Sequence, residues 1–362
     1  MRRALICSLA AVACGWPVAA LAAEAAYKAP RTGFGQPDLS GNWSNATLTP
    51  QVRPILYGTR RAQTAQEVRL LEGANAEKDA ASNRPVDVNA GASASDNVGA
   101  YDRAWIDNGT GVMRVGGEPR TSLITTEDGQ PPVGRGQSKR TLPAGAGSVE
   151  AGLEAVKQAA AVDIFEGQGS VAAGKMGSYD NPEGRALGER CIIGFGRNGG
   201  PPMFPNGWYN NNYILVQSPT EVAIVVEMVH DVRHIPLNAK HRSDDVRPWF
   251  GDSIGWFEGD TLVVETTHIP QAQAYFGAWK DLKVTERFTR VANDRLRYRF
   301  TVEDPTTWDK PWGGEYEFHP LKGQVLEYAC HEGNYALPGI LNGAREEEKR
   351  AASARRETSG GE

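Results

Sequence analysis

The 362-residue chain is short of cysteine, with four, and of histidine, with six, and it carries no long basic run. Beyond its first two dozen residues no stretch approaches the roughly 18 to 20 consecutive apolar residues that a membrane helix needs, so no spanning helix is expected. Without a basic stripe for phosphates, nucleic acid is not an expected partner. Two catalytic signatures are also missing. "GFGRNGG", Gly194 to Gly200, has glycines but neither the lysine of a phosphate-binding loop nor the preceding strand of a dinucleotide fold. Ser122 and Ser253 have no G-x-S-x-G setting, so a nucleophile elbow is not expected.

What is present begins with Met1, Arg2 and Arg3, an apolar run from Ala4 to Ala13 extended by Val18, Ala19 and Ala20, and the small-x-small site Ala20-Leu21-Ala22. This is the pattern of a cleaved secretory signal over residues 1–22. A lipoprotein signal acylated at Cys14 is the alternative, but Ala11-Val12-Ala13 lacks the leucine such a signal usually has. The expected location is therefore periplasmic or secreted. Removing Arg2 and Arg3 from 39 basic residues leaves 37 against 44 acidic ones, a net charge of −7. The 41 glycines and 22 prolines favour a turn-rich β protein. Cys7 and Cys14 leave with the signal, and Cys191 and Cys330 form an even pair in an oxidising compartment, where a disulfide is the default.

The chain divides in two. Residues 23–190 are irregular, a segment that wraps the core or lids it, with a first strand after Pro37-Asp38-Leu39 and a capping box at Thr64-Ala65-Gln66-Glu67 that predicts a short helix. Gly116-Gly117 marks a hairpin, Asn83 to Ala100 and Gln130 to Gly147 are loop-like, and Ser148 to Ala161 is an alanine-rich helix candidate. In residues 191–343, β-branched and aromatic runs recur between turn signals. Strands are predicted at Tyr209 to Gln217, Glu221 to Ile235, Ser253 to Phe257, Thr261 to Ile269, Leu282 to Val291, Arg295 to Glu303, Gly314 to His319 and Gln324 to Glu332. Turns fall at Ser218-Pro219-Thr220, Glu258-Gly259-Asp260 and Asn293-Asp294. About eight sequential antiparallel strands suggest a mainly β fold, a lipocalin-like (calycin-like) meander barrel with a β-sandwich as the alternative. Residues 344–362 are a charged C-terminal tail.

The blocks "RTSLITTEDGQPP", "NNYILVQSPTEVAIVVEMVHDVRHIPL", "RPWFGDSIGWFEGDTLVVETTHI", "TERFTRVANDRLRYRFTVEDPTTW" and "YACHEGNY" resemble those of a large group of exported bacterial proteins. The resemblance covers roughly Tyr101 to Ala344, apart from Gln137 to Leu187. It implies one shared fold and carries no activity with it. His234 departs from that group's pattern, where an aliphatic residue is usual, which weakens any scheme that needs this histidine.

Strand alternation sorts the candidate chemistry by face. Along Glu221 to Ile235 one face carries Val222, Ile224, Val226, Met228, His230, Val232 and His234, and the other Glu227, Asp231 and Arg233. His230 then sits at the edge of an apolar surface, beside a carboxylate and guanidinium set. Cys330 and His331 point to opposite faces, so they cannot share an ion. His230, His331, Glu227, Asp231 and Arg233 are the acid/base candidates. The polar face of Arg295 to Glu303 reads as an outward charged face. For metal, His230, His234 and His241 are local in sequence, with His268 and His331 possible from elsewhere. His230 and His234 would lie roughly 13 Å apart along a strand, and no metal or cofactor is expected.

Aromatic residues gather near loops: Trp208, Tyr209, Trp249, Phe250, Trp256, Phe257, Trp279, Trp308 and Trp312. "NGWYNNNY" mixes them with amides, and Trp208, Tyr209, Asn211 and Trp256 are the candidate ligand-binding residues. Two functions fit. One is a binding protein that holds a small apolar or aromatic molecule in a cavity. The other is an acid/base lyase, isomerase or hydrolase on the same scaffold. A purely structural role for the same charges is the plain alternative.

Overall fold

The computed structural model describes residues 27–83, 107–135, 179, 181–194, 196–206 and 210–359. The expected signal segment, the loop from 84 to 100, the helix expected at Ser148 to Ala161, and Trp208 and Tyr209 lie outside the described residues. Only the backbone of His230 is described.

Nine strands make one antiparallel sheet: β1 (Gly41–Ser44), β4 (Asn212–Gln217), β5 (Glu221–Val226), β6 (Val232–Pro236), β7 (Asp252–Glu258), β8 (Thr261–Thr267), β9 (Lys283–Ala292), β10 (Arg295–Glu303) and β11 (Trp312–Pro320). Between β1 and β4 come helix α1 (Ala65–Ser82) and the small hairpin of β2 (Arg114–Val115) and β3 (Glu118–Pro119). The order across the sheet is β6-β5-β4-β1-β11-β10-β9-β8-β7. Its two outermost strands lie beside each other: Leu237 bridges Gly255 in a parallel sense and the Asn238 N–H donates to the Gly255 carbonyl at 2.7 Å. No continuous ladder joins them there.

The expected turns are where the spacing put them, between β4 and β5, β7 and β8, and β9 and β10. Gly116 and Gly117, at φ 58° and 84°, form the two-residue turn of the β2–β3 hairpin, a backbone that requires residues free of a Cβ penalty. The Thr64 box caps α1 in both directions. In β10, Leu296, Tyr298, Phe300 and Val302 are buried while Arg297 and Arg299 point outward, as alternation predicts. The inner face is filled with aromatic rings: Tyr298 stands 4.8 Å from Tyr316 and 5.0 Å from Phe288, centroid to centroid, and Tyr213 is 5.4 Å from Phe318.

Two strand expectations are corrected. Glu221 to Ile235 is two strands, broken by a tight turn at Met228–His230. Gln324 to Glu332 is irregular; the edge of β11 away from β10 is already taken by β1 and by Leu123 to Thr125, which bond to residues 313–315. The charged tail is mostly a helix, α2 (Ala336–Ser359). Its first half carries a short apolar stripe, Leu337, Ile340, Leu341 and Ala344, and the charged half is laced by Arg345–Glu348 and Lys349–Glu346 pairs.

Described residues of the N-terminal segment pack against β11. Ile124 bridges Gly314, and Arg120 pairs with Glu315 on the outward side of β11. The expected disulfide is present, with Cys191 and Cys330 Cα atoms 5.7 Å apart and 139 residues between them in sequence. No described helix is long and apolar enough to cross a membrane.

Candidate functional site

The turn between β5 and β6 decides where the candidate residues go. The Val226 N–H donates to the Asp231 carbonyl at 2.8 Å, and Val229 takes φ 59°, ψ 21°. A β-branched side chain rarely adopts that left-handed backbone, because its branches crowd the neighbouring peptide. The turn also shifts parity, so Arg233 and Ile235 face inward while Val232 and His234 are exposed. Arg233 therefore joins the face of Val222 and Ile224, opposite to what a single strand would give.

Inside, Arg233 meets Glu286 of β9 in a bidentate pair, with Nη1 donating to Oε1 at 3.0 Å and Nη2 to Oε2. The Tyr298 hydroxyl donates to the same Oε1 at 2.7 Å. Ser253 and Thr266 hydroxyls, 2.8 Å apart, close the set beside Nη2. Burial alone would lower the Arg233 pKa, but the Glu286 carboxylate outweighs it and the net direction is upward. Burial, then the Glu286 charge, pushes the Tyr298 phenol well above its ordinary value. Both groups therefore stay protonated near neutral pH, and the Glu286 carboxylate is held between them.

Glu227 is also buried, and it is satisfied by the Asn212 amide at 2.8 Å and the Leu326 N–H at 3.0 Å. Burial, followed by the nearby Glu227 charge, raises the pKa of Asp107. Asn211 is enclosed and fully used: its amide donates to the carbonyls of Asp107 and Asn206, and its oxygen accepts from the Asn206 N–H and the Asn198 amide. It organises the site and has nothing left for a ligand.

Beside this amide set lies a cleft where three segments meet: the loop Ile193 to Gly200, the turn at Met228 and Asp231, and Phe250 with Gln273. It encloses about 250 Å³ counting its open mouth. The space that can hold water centres is about 10 Å³, roughly one solvent site. Glycines set its shape. A Cβ on Gly194 would fall 2.0 Å from Met228 Cγ, and one on Gly199 would fall 2.6 Å from Phe250 Cε1. Arg197 stands behind the loop, giving its guanidinium to the carbonyls of Gln273, Ala274 and Pro201 and lying 4.6 Å over the Tyr275 ring; burial brings its pKa down to about 10.

The sequence candidates are thus dispersed. Glu227 and Asp231 are at this end of the sheet, with the His230 backbone between them, whereas Arg233 is sealed in its ion pair. His331 is exposed on the turn after Cys330, and His234 is exposed against Glu221. Trp256 is half-buried on the outer side of β7, its indole N–H on Glu258 at 3.0 Å. Sequence reasoning missed Asp107, Glu286, Arg197, Asn198 and Gln273. The glycine density of Gly194 to Gly200 was the usable signal for Arg197 and Asn198, once read as room for close packing. His241 and His268 do meet, with Asp252, on the other side of the sheet from Arg233. Comparison with protein-family models, curated proteins and solved structures finds no match to this chain.

Proposed function

We propose that the chain is an exported protein, its nine strands curled into a barrel-like shell, that binds a small ring-bearing molecule with polar substituents in the cleft beside the β5–β6 turn. The supporting observation is the convergence of three separate segments there, with Val229 held in a conformation that costs about 1 to 3 kcal/mol in the turn that carries Met228 and Asp231. Met228 and Phe250 supply apolar walls, and Asp231 and Gln273 supply polar groups, the usual mixture at a small-molecule site. Because the cleft has room for about one water, a ligand enters by lifting the glycines at 194 and 199 off Met228 and Phe250. The anchor of that loop is Arg197, which stays bonded behind it.

The test is a thermal-shift screen of aromatic and sugar-like exported metabolites on the mature chain. A ligand at 100 times its Kd adds about 2.7 kcal/mol of stability. Phe250→Ala and Gln273→Ala are expected to abolish the shift. Shifts that persist in both variants would place the binding elsewhere.

A second reading, acid/base catalysis, rests on two carboxylates at this end of the sheet, Glu227 on the Asn212 amide and Asp107 beside Asn211, where burial and then the Glu227 charge raise the Asp107 pKa, the pattern by which two carboxylates divide acid and base roles. Under it, Glu227→Gln removes turnover of a substrate found by the screen and leaves its binding intact. Unchanged turnover would leave binding as the sole function.

A further inference from the structure

We propose that His241, Asp252 and His268 form a binding site for a borderline divalent metal ion of the zinc class. The strand register builds it. Asp252 opens β7 opposite Thr267 of β8, and since Ser253 faces inward to Arg233, Asp252 faces out. His268 follows Thr267 at φ 51°, which turns the chain back over the end of β8. His241 arrives from the connection between β6 and β7. One ligand atom from each of the three lies within 4.8 Å of the others.

Both imidazoles are oriented in the same way. Nδ1 of His241 is 2.8 Å, and Nδ1 of His268 3.9 Å, from Asp252 Oδ2. The opposite nitrogens face outer carboxylates: His241 Nε2 is 3.2 Å from Glu265 Oε1, and His268 Nε2 is 2.9 Å from Asp244 Oδ1. A carboxylate only accepts, so each Nε2 donates outward; the short His241 Nδ1–Asp252 Oδ2 contact likewise holds a proton in the metal-free chain, the place an entering ion takes, whereas His268 Nδ1 turns toward Asp252 without a hydrogen bond. This is the outer-carboxylate arrangement that orients histidines on a metal. His268 Nδ1 is buried without a hydrogen-bond partner. Two ligand atoms on a tetrahedral zinc are about 3.4 Å apart, between the two distances seen here. Two imidazoles and one carboxylate suit zinc-class ions; magnesium and calcium favour all-oxygen sets. The other charges nearby are Arg242, whose N–H reaches Asp252 Oδ2 at 2.8 Å and whose Nε is 3.3 Å from Oδ1, and Lys283, 3.9 Å from Glu265. Three protein ligands leave a fourth position for water. Spacing argued against a metal because it paired His230 with His234; the histidines that meet are 27 positions apart and joined by the β7–β8 register.

The rival is a metal-free cluster in which a protonated His241 bridges Asp252 and Glu265. Tag-free mature chain, dialysed against EDTA, is titrated with cobalt(II) and the visible d–d absorption recorded, followed by displacement with zinc. The expected result is saturable one-to-one binding, with affinity lost by about 100-fold or more in His241→Ala and His268→Ala, and weakened about 10- to 100-fold in Glu265→Gln. His331→Ala leaves it unchanged. If an alanine variant does not fold by circular dichroism, Asp252→Asn carries the same expectation of loss. No saturable binding, or equal affinity in the wild type and these variants, overturns the proposal.

Discussion

Arg233 is a guanidinium in a place where water does not reach, and its partner Glu286 is equally enclosed. An ion pair of this kind adds little over an apolar pair of the same shape, but removing one member strands the other charge in the core. Glu286→Gln is therefore expected to cost about 3 to 5 kcal/mol in urea unfolding. The double change Arg233→Met with Glu286→Leu should recover most of that loss, less about 1 to 3 kcal/mol for the Tyr298 hydroxyl left without an acceptor. A cost below about 1 kcal/mol for Glu286→Gln would contradict a sealed pair. At this scale the sequence was legible only in part. It marked Arg233 as belonging to a carboxylate–guanidinium network; it could not name Glu286, 53 residues away, because only the register of β5, β6, β8 and β9 brings the two together.

Among the elements, α1 shows most directly how local chemistry becomes structure. The Thr64 hydroxyl accepts from the Glu67 N–H at 3.2 Å, and the Glu67 carboxylate accepts from the Thr64 N–H at 2.7 Å. Thr64→Ala should cost about 1 kcal/mol of local stability, read from amide exchange along the helix. The Arg60 hydrogen bond, helped by Thr64, holds the Glu67 pKa at about 2, against 4.5 for an ordinary glutamate. Its folded value is depressed, so its stabilising contribution is complete above about pH 4.5 and is lost as pH falls toward 2. A carboxyl carbon NMR titration should find its midpoint near the lower value, and a midpoint near 4.5 would remove the cap from the account. Strands β7 to β10, the Gly116-Gly117 hairpin and this cap were all readable, because each depends on residues within one or two turns of each other. The break at Val229 was not. A strand pattern of Val, Ile and Met runs unmarked into that turn, without Gly, Asn or Pro to announce it.

For the whole molecule, the disulfide joins the loop before β4 to the segment after β11, and Asn334 adds a bond to the Glu189 carbonyl at 2.7 Å. Closing a loop of this length removes unfolded-state freedom worth on the order of 4 to 5 kcal/mol. Cys191→Ser with Cys330→Ser should lower stability by about that amount and make residues 324–335, no longer held at Cys330, the first site of proteolysis. Native thiols that titrate in the oxidised protein would exclude the bond altogether. The same anchoring makes the irregular stretch after β11 ordered without a strand partner: it is held at Leu326 by Glu227 and at Cys330 by Cys191.

The sequence by itself determined the β class, the positions of the turns, the cap of α1 and the cysteine pair. Each of these follows from periodicity, backbone preference or parity of a few residues, which act over short range or are too few to combine in more than one way. The tertiary structure decided which polar groups meet. The left-handed Val229 turned Arg233 inward to Glu286, and the pairing of Asp252 with Thr267 brought His241 and His268 to one carboxylate. Such meetings depend on register, where a shift of one residue sends every side chain of a strand to the other face.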